Sequence, residues 1–500
     1  MARPRSNRRA ASAAGKALAL AAALAFVAGC KPVGPNYARP QTTAPAAYKE
    51  LGAANVVPPP NPAGGSWKPA TPSDGMLRGK WWEIYNDPEL NRLEELVTPQ
   101  NQTLRAATET YLAARDQVQI ARAGLSPTIS AGPGLAHQQF SRHRPLTSLS
   151  NSTHTSYNDL TLEGQASWEP DFWGRIRRTV EAARENAQAS AADMAVIDLS
   201  LHAELAQDYF ELRTLATVSR LLENTIKSDQ GQLELNQRLV KGGVVTEVVV
   251  AQAQTELETV RAQLIDVEQD RAQFEHAIAT LTNQEAGQLT VAVTPLDGPL
   301  PQIPIGLPSQ LVERRPDIAA AERSVAAANA QIGIAVSAYY PNITIGGTGG
   351  LESTHIGNFI QGPSSLWSLG GQASELLLDG GLRHATTDQA RHNFEARSDT
   401  YKATVLAAFN EVEDRLSDLR VLEQEAAVED RAVDAAQHSL DLSNQRYKGG
   451  ATSYLEVLVA ESTLLQNQTT QAGLESRRFA ASVLLIRALG GGWDETQLPK

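Results

Sequence analysis

Asn236-Gln237-Arg238-Leu239-Val240-Lys241-Gly242-Gly243 and Asn444-Gln445-Arg446-Tyr447-Lys448-Gly449-Gly450 are one phrase written twice, the second time with one residue fewer. A basic residue followed by paired glycines is how a helix stops and the chain reverses, because glycine takes up the left-handed backbone that closes the last turn. Reading upstream, Gln117-Val118-Gln119-Ile120-Ala121 with Pro127 and Ile129 matches Gln331-Ile332-Gly333-Ile334-Ala335 with Pro341 and Ile343 at a constant offset. Gly174-Arg175-Ile176-Arg177 matches Gly380-Gly381-Leu382-Arg383. Agreement at ordered places along both halves means an internal duplication.

Each copy has the same layout. A helical pattern, at about 99–124 and 315–337, ends at Ser126-Pro127 and Tyr340-Pro341, since proline cannot continue it. Two strand-like runs around a polar loop follow, at 127–141 and 158–170, then 341–353 and 366–379. Thr344 to Gly350 is rich in glycine and β-branched residues, and Asn158 to Trp168 alternates, with Leu160, Leu162, Gly164 and Ala166 on one side. Each run is long enough for a tilted strand to cross a bilayer. Long helical stretches then cover 178–240 and 382–447, roughly 90–100 Å each at 1.5 Å per residue. Shorter helices return over 246–283 and 453–489, and a returning helix stacked on a leading one could line a long helix. Alanines at 182, 183, 187, 191, 426, 427, 435 and 436 permit close helix packing. Four strands per chain cannot enclose anything, and open sheet edges are forbidden in lipid, so spanning strands would require several chains to share a barrel.

The first thirty residues read as an address. Arg3, Arg5, Arg8, Arg9 and Lys16 precede an apolar stretch from Ala17 to Ala28, the pattern of a bacterial export signal. Val27-Ala28-Gly29-Cys30 resembles a lipobox, with Cys30, the only cysteine, as the acylated residue. Lys31 follows where an inner-membrane retention signal carries Asp, which favours the outer membrane. Residues 30–80, with Pro58-Pro59-Pro60, are a Pro-rich tether. The first structural repeat covers 81–300, the second 301–490, and 491–500 form a tail.

Composition agrees with a mixed α and β protein. The chain has 500 residues, 20% charged and 42% hydrophobic, and a mean hydropathy of −0.29. Beyond residue 30 no uncharged apolar run is long enough for a membrane helix, which excludes a polytopic helical protein but not a β-barrel. The net charge of −12 argues against a nucleic-acid partner.

With these features placed, the sequence resembles the TolC-like outer-membrane efflux channels, most closely their lipoprotein branch (the OprM and NodT type). The residues that carry the resemblance are Cys30, Trp81-Trp82-Glu83-Ile84-Tyr85-Asn86-Asp87-Pro88 and Trp168-Glu169-Pro170-Asp171-Phe172-Trp173-Gly174-Arg175-Ile176-Arg177. Arg314-Arg315-Pro316-Asp317-Ile318 and the run from Arg446 to Leu458 complete the set, in family order over the whole mature chain. The resemblance implies a homotrimer sharing a twelve-stranded barrel above a periplasmic helical tunnel. It implies passive conduction of small molecules from an inner-membrane pump, of the RND type, through a periplasmic adaptor that meets the tips at Gly242, Gly243, Thr246, Gly449, Gly450 and Ser453. It also implies that Glu456 belongs to an acidic ring narrowing the aperture, that Val459 replaces a second acid, and that Tyr447 latches the closed state. Physically, symmetry-related carboxylates near an axis attract cations, while a solvated helix glutamate is the plain alternative.

Nothing in the sequence calls for a cofactor, a metal or catalysis. Gly346 to Gly350 lacks the lysine and helix of a phosphate loop. His384, Asp388 and His392 share a helix face at metal-ligand spacing, but a solvated face accounts for them. His137, His143 and His154 fit a polar loop. The competing readings are an export duct for a polypeptide in the same architecture and a periplasmic coiled-coil scaffold with no pore. The paired strand runs speak against the scaffold.

Overall fold

The computed structural model describes residues 31–45, 47–51, 79–139, 156–296, 298–305 and 313–499. The leader, Cys30, and His143 and His154 lie outside the described residues. The elements, in order, are α1 (Pro88–Gln100), α2 (Gln102–Ala123), β1 (Thr128–Gln139), β2 (Ser156–Trp168), α3 (Arg175–Lys241), α4 (Glu247–Leu281), α5 (Pro316–Ser337), β3 (Asn342–Ser353), β4 (Ser365–Ser374), α6 (Leu382–Lys448) and α7 (Tyr454–Ala488). The duplication shows in their lengths: α2 and α5 have 22 residues each, α3 and α6 have 67, and α4 and α7 have 35. A 67-residue helix is about 100 Å long. None of the described helices is long and apolar enough to cross a membrane.

Packing divides the chain into two compact units. One unites residues 112–189, 321–400 and the N-terminal stretch up to Pro40. Its sheet runs β1-β2-β3-β4, antiparallel throughout, with β1 and β4 at open edges. The register sorts every side chain to one face. Ile129, Ala131, Pro133 and Leu135 share theirs with Leu160, Leu162 and Ala166, and with Ile343, Ile345, Leu351, Trp367 and Leu369. The opposite face carries Thr128, Ser130, Gln138, Asp159, Thr161, Glu163, Gln165, Thr344, Thr348, Glu352, Ser368 and Gln372. Every carboxylate in the four strands is on this second face, and no lysine or arginine occurs in any of them. Gly350 permits the close β2–β3 approach, since a Cβ there would meet the Leu162 carbonyl.

The sheet hands over to each long helix through an Asp–Arg couple. Asp171 accepts from the backbone N–H groups of Ile176 and Arg177 and pairs with the Arg177 guanidinium at 3.1 Å. Asp379 accepts from the N–H groups of Gly381 and Arg383 and pairs with Arg383 at 2.5 Å. This couple explains why β4 stops at Ser374 although the sequence pattern extends the strand to 379. Glu375 is already drawn to Arg383, 3.1 Å away, and Leu376 to Leu378 are exposed connection. The N-terminal stretch is strapped onto this unit. Val33 N–H donates to the Trp173 carbonyl, Arg178 donates to the Val33 carbonyl and Asn36, and Asn329 donates to the Pro35 carbonyl. Val33 is thereby held against the connection between β2 and α3.

The second unit contains residues 41–111, 190–320 and 401–500. Trp81, Trp82, Leu90, Leu93 and Val97 pack against Tyr209, Phe210, Ile278, Phe479 and Val483 in its main core. The leading helix differs from the sequence expectation. The run read from 99 breaks at Asn101, whose side chain accepts from Thr103 and Leu104 N–H to cap α2, and a separate α1 precedes it. Asp87 caps α1 in the same way. Both returning helices meet a leading one end to end. Asn101 donates to the carbonyl of Leu281 at the end of α4, and Arg315, just before α5, donates to that of Ala488 at the end of α7. The end of a returning helix is thus hydrogen-bonded to the start of a leading one in both copies.

Candidate functional site

The two helix-turn tips are built alike. In the first, Gly242, Gly243 and Val244 N–H groups donate to the carbonyls of Arg238, Val240 and Leu239, with Gly243 at φ +71°. In the second, Gly449, Gly450 and Ala451 donate to Gln445, Tyr447 and Arg446, with Gly450 at φ +70°. Each closes the orphan carbonyls of a long helix with a left-handed glycine. Thr246 and Ser453 then start α4 and α7 from extended backbone, and neither hydroxyl caps its helix. Gly242, Gly243, Thr246, Gly449, Gly450 and Ser453 are all exposed. So are Val244 and Val248 at the first tip and Leu455 at the second.

Beneath the tips, α3, α4 and α7 share a small core of Leu233, Ala253, Leu257, Tyr454, Val457 and Leu458. Tyr447 packs against it and its phenol donates to Asn236 Oδ1 at 2.8 Å, joining α6 to α3. Its ring is 5.4 Å from that of Tyr454. Burial raises the Tyr447 phenol above its ordinary value, so it remains a donor at neutral pH. Gln232 adds a second link, donating to Asn444 at 3.4 Å. Asn236 and Asn444 are equivalent positions of the duplicated phrase, and each takes part in one of these two links between α3 and α6.

Glu456 stands in the first turn of α7, three residues after Ser453. An acid there suits the positive end of the helix. Its carboxylate lies 3.4 Å from Arg446 of α6, with both side chains exposed. This pairing modifies the sequence reading of a bare carboxylate: each Glu456 has a cation of its own hairpin within reach, worth at most about 1 kcal/mol in solvent. Glu456 and Val459 border a shallow groove of about 360 Å³ between α6 and α7, with Ala436, Ser439, Ser443 and Thr463. Elsewhere, His384 pairs with Asp388 at 2.9 Å on an exposed face, and Asp388 also pairs with Arg391. Among the described residues no three acids, histidines or cysteines are placed to hold a metal ion.

Tandem long hairpins, stacked short helices and a four-stranded sheet with one apolar face form a combination that comparison with known proteins can test. The family model described as outer membrane efflux protein matches residues 95–284 and 307–491. The chain belongs to this family. It is an outer-membrane efflux channel. It is 30% identical over 455 residues to the pyoverdine export outer membrane protein OpmQ of Pseudomonas aeruginosa, covering 89% of this chain and 95% of that protein. The toluene efflux pump outer membrane protein TtgC of Pseudomonas putida is 28% identical, over 96% of each chain. A solved structure of the outer-membrane channel OprN superposes with a TM-score of 0.81 at 27% identity, over 92% of this channel and 99% of the other. These relatives are channel and export proteins rather than enzymes.

Proposed function

We propose that three copies of this channel close their sheets into one twelve-stranded barrel, that periplasmic adaptor proteins dock on the tips, and that an inner-membrane pump of the RND type loads the tunnel with small toxic molecules. The observation that carries this reading is the sorting of the sheet faces. An apolar face beside a polar one, on strands of 10 to 13 residues, is what a wall between lipid and water needs. Joining β4 of one chain to β1 of the next continues the antiparallel alternation and leaves no edge exposed to lipid. Asp159, Glu163 and Glu352 then line the lumen. Cys30 carries the lipid anchor. Gly242, Gly243, Thr246, Gly449, Gly450 and Ser453, with the exposed Val244, Val248 and Leu455, present the adaptor surface. Glu456 lines the aperture and Tyr447 holds it closed. The chain is read as a leader at 1–29, an anchored segment at 30–80, repeats at 81–300 and 301–490, and a tail at 491–500.

Single-channel recording of the purified trimer tests the reading. Wild type should give a small, cation-selective conductance. Glu456→Gln should lower the selectivity only in part, because Arg446 already offsets the ring and the barrel acids remain. Tyr447→Phe removes one hydrogen bond per chain, worth about 0.5–1.5 kcal/mol, and should raise open probability about 2- to 10-fold per latch. A folded trimer silent in both variants would sink the proposal.

A further inference from the structure

Asp229 on α3 and Glu461 on α7 are buried together beneath the second tip, 1% and 7% exposed. Asp229 lies one turn from Leu233, and Glu461 one turn from Val457 and Leu458, so the pair closes off the small core that holds the tip. Ser228 is hydrogen-bonded to Glu461, but both oxygens of Asp229 and Oε2 of Glu461 have no hydrogen-bond partner. Each of these two buried carboxyls acts electrostatically on the other. Two carboxylate oxygens attract only when a proton stands between them. The other titratable groups acting on the pair are Glu256 of α4, a third acid, and the Tyr454 phenol of α7, with Tyr447 of α6 beyond it. Neither carboxyl has an ion pair among the described residues, so no side-chain cation offsets their charge there.

We propose that Asp229 and Glu461 share one proton and form a clasp that holds α7 against α3, released as that proton leaves. Its effect on the aperture rests on the channel reading above. Glu461 is five residues along α7 from Glu456, about 7.5 Å of helix, so freeing one frees the element that bears the other. The Tyr447–Asn236 latch holds α6 and is insensitive to pH while the phenol stays protonated. The clasp holds α7 and is not.

The sign follows from burial. Burial, then the charges of Glu461 and Glu256, push Asp229 up to about 8 from an ordinary value of 3.8. Because the folded value is the higher one, the clasp is at full strength below the ordinary carboxylate range. It weakens as pH rises from there and is lost as pH passes about 8. Alkaline periplasm therefore primes the tip for opening.

The test is amide hydrogen exchange of the purified full-length channel from pH 5 to 9, corrected for the intrinsic pH dependence of exchange. The reporters are residues 226–236 and 454–464, in wild type and Asp229→Asn. Wild-type protection should fall at least about tenfold across the range, the change that one pKa unit carries. Asp229→Asn should stay flat, since its amide donates to Glu461 at every pH. Glu461→Gln repeats the test from the other helix should Asp229→Asn fail to fold. Parallel profiles in wild type and variant overturn the clasp. Bilayer conductance of the same preparations separates the two readings: a pH response in exchange with no conductance at any pH keeps the clasp and sinks the channel.

Discussion

Asp87→Ala should lower the stability of the unit containing α1 by about 3–5 kcal/mol, the usual cost of removing one partner of a buried ion pair. Asp87 does three jobs with one buried carboxylate. It caps α1 through the N–H groups of Glu89 and Leu90, at 3.0 and 3.1 Å. It accepts the Tyr209 hydroxyl at 2.9 Å and pairs with Arg213 at 2.7 Å. Arg213 in turn donates to the carbonyls of Thr294 and Pro295, so the same charge tethers the segment after α4. Alanine would leave the guanidinium and the phenol without their acceptor and undo the cap, itself worth about 1 kcal/mol. Asp87→Asn keeps the cap and the shape but loses the charge, and should fall between the two. Thermal melting followed by circular dichroism, with Arg213→Met as the reciprocal change, checks this. Equal stability of Asp87→Ala and wild type would show that the network contributes nothing net.

Leu162→Arg should prevent membrane insertion or cost about 2–4 kcal/mol per chain, whereas Thr161→Arg should be tolerated. The two residues are adjacent in the middle of β2, at the same depth and on opposite faces. Leu162 pairs with Pro133 and Leu351 on the apolar face, where an arginine would meet hydrocarbon. Thr161 stands opposite Glu352 on the polar face, where an arginine would meet a carboxylate in water. Heat-modifiable migration of outer-membrane fractions reports assembly, and urea titration of refolded protein in lipid gives the energy. If the two variants behave alike, the faces are assigned the wrong way or the sheet does not cross a bilayer.

What could be read from the chain alone had a common physical basis: it depended on local pattern. The duplication, both Lys-Gly-Gly tips, the long helices and the paired strand runs all follow from spacing, glycine and proline chemistry, and side-chain periodicity. Two misplaced boundaries had side-chain causes that periodicity does not register. Asn101 caps one helix in the middle of an apolar pattern, and Asp379 begins another while the β-like run of leucines continues.

The facing of the strands needed tertiary structure, because a slip of one residue exchanges the two faces and only the pairing of β2 with β1 and β3 removes that freedom. The partners of residues near the tips needed it too. Tyr447 and Asn236 lie 211 positions apart, and Asp229 and Glu461 come from different halves of the duplication. Sequence determined which elements this channel has and where they turn, since those depend on neighbours a few residues away. Structure alone decided which carboxyls lose their water and face each other, since desolvation is set by whatever packs across the helix.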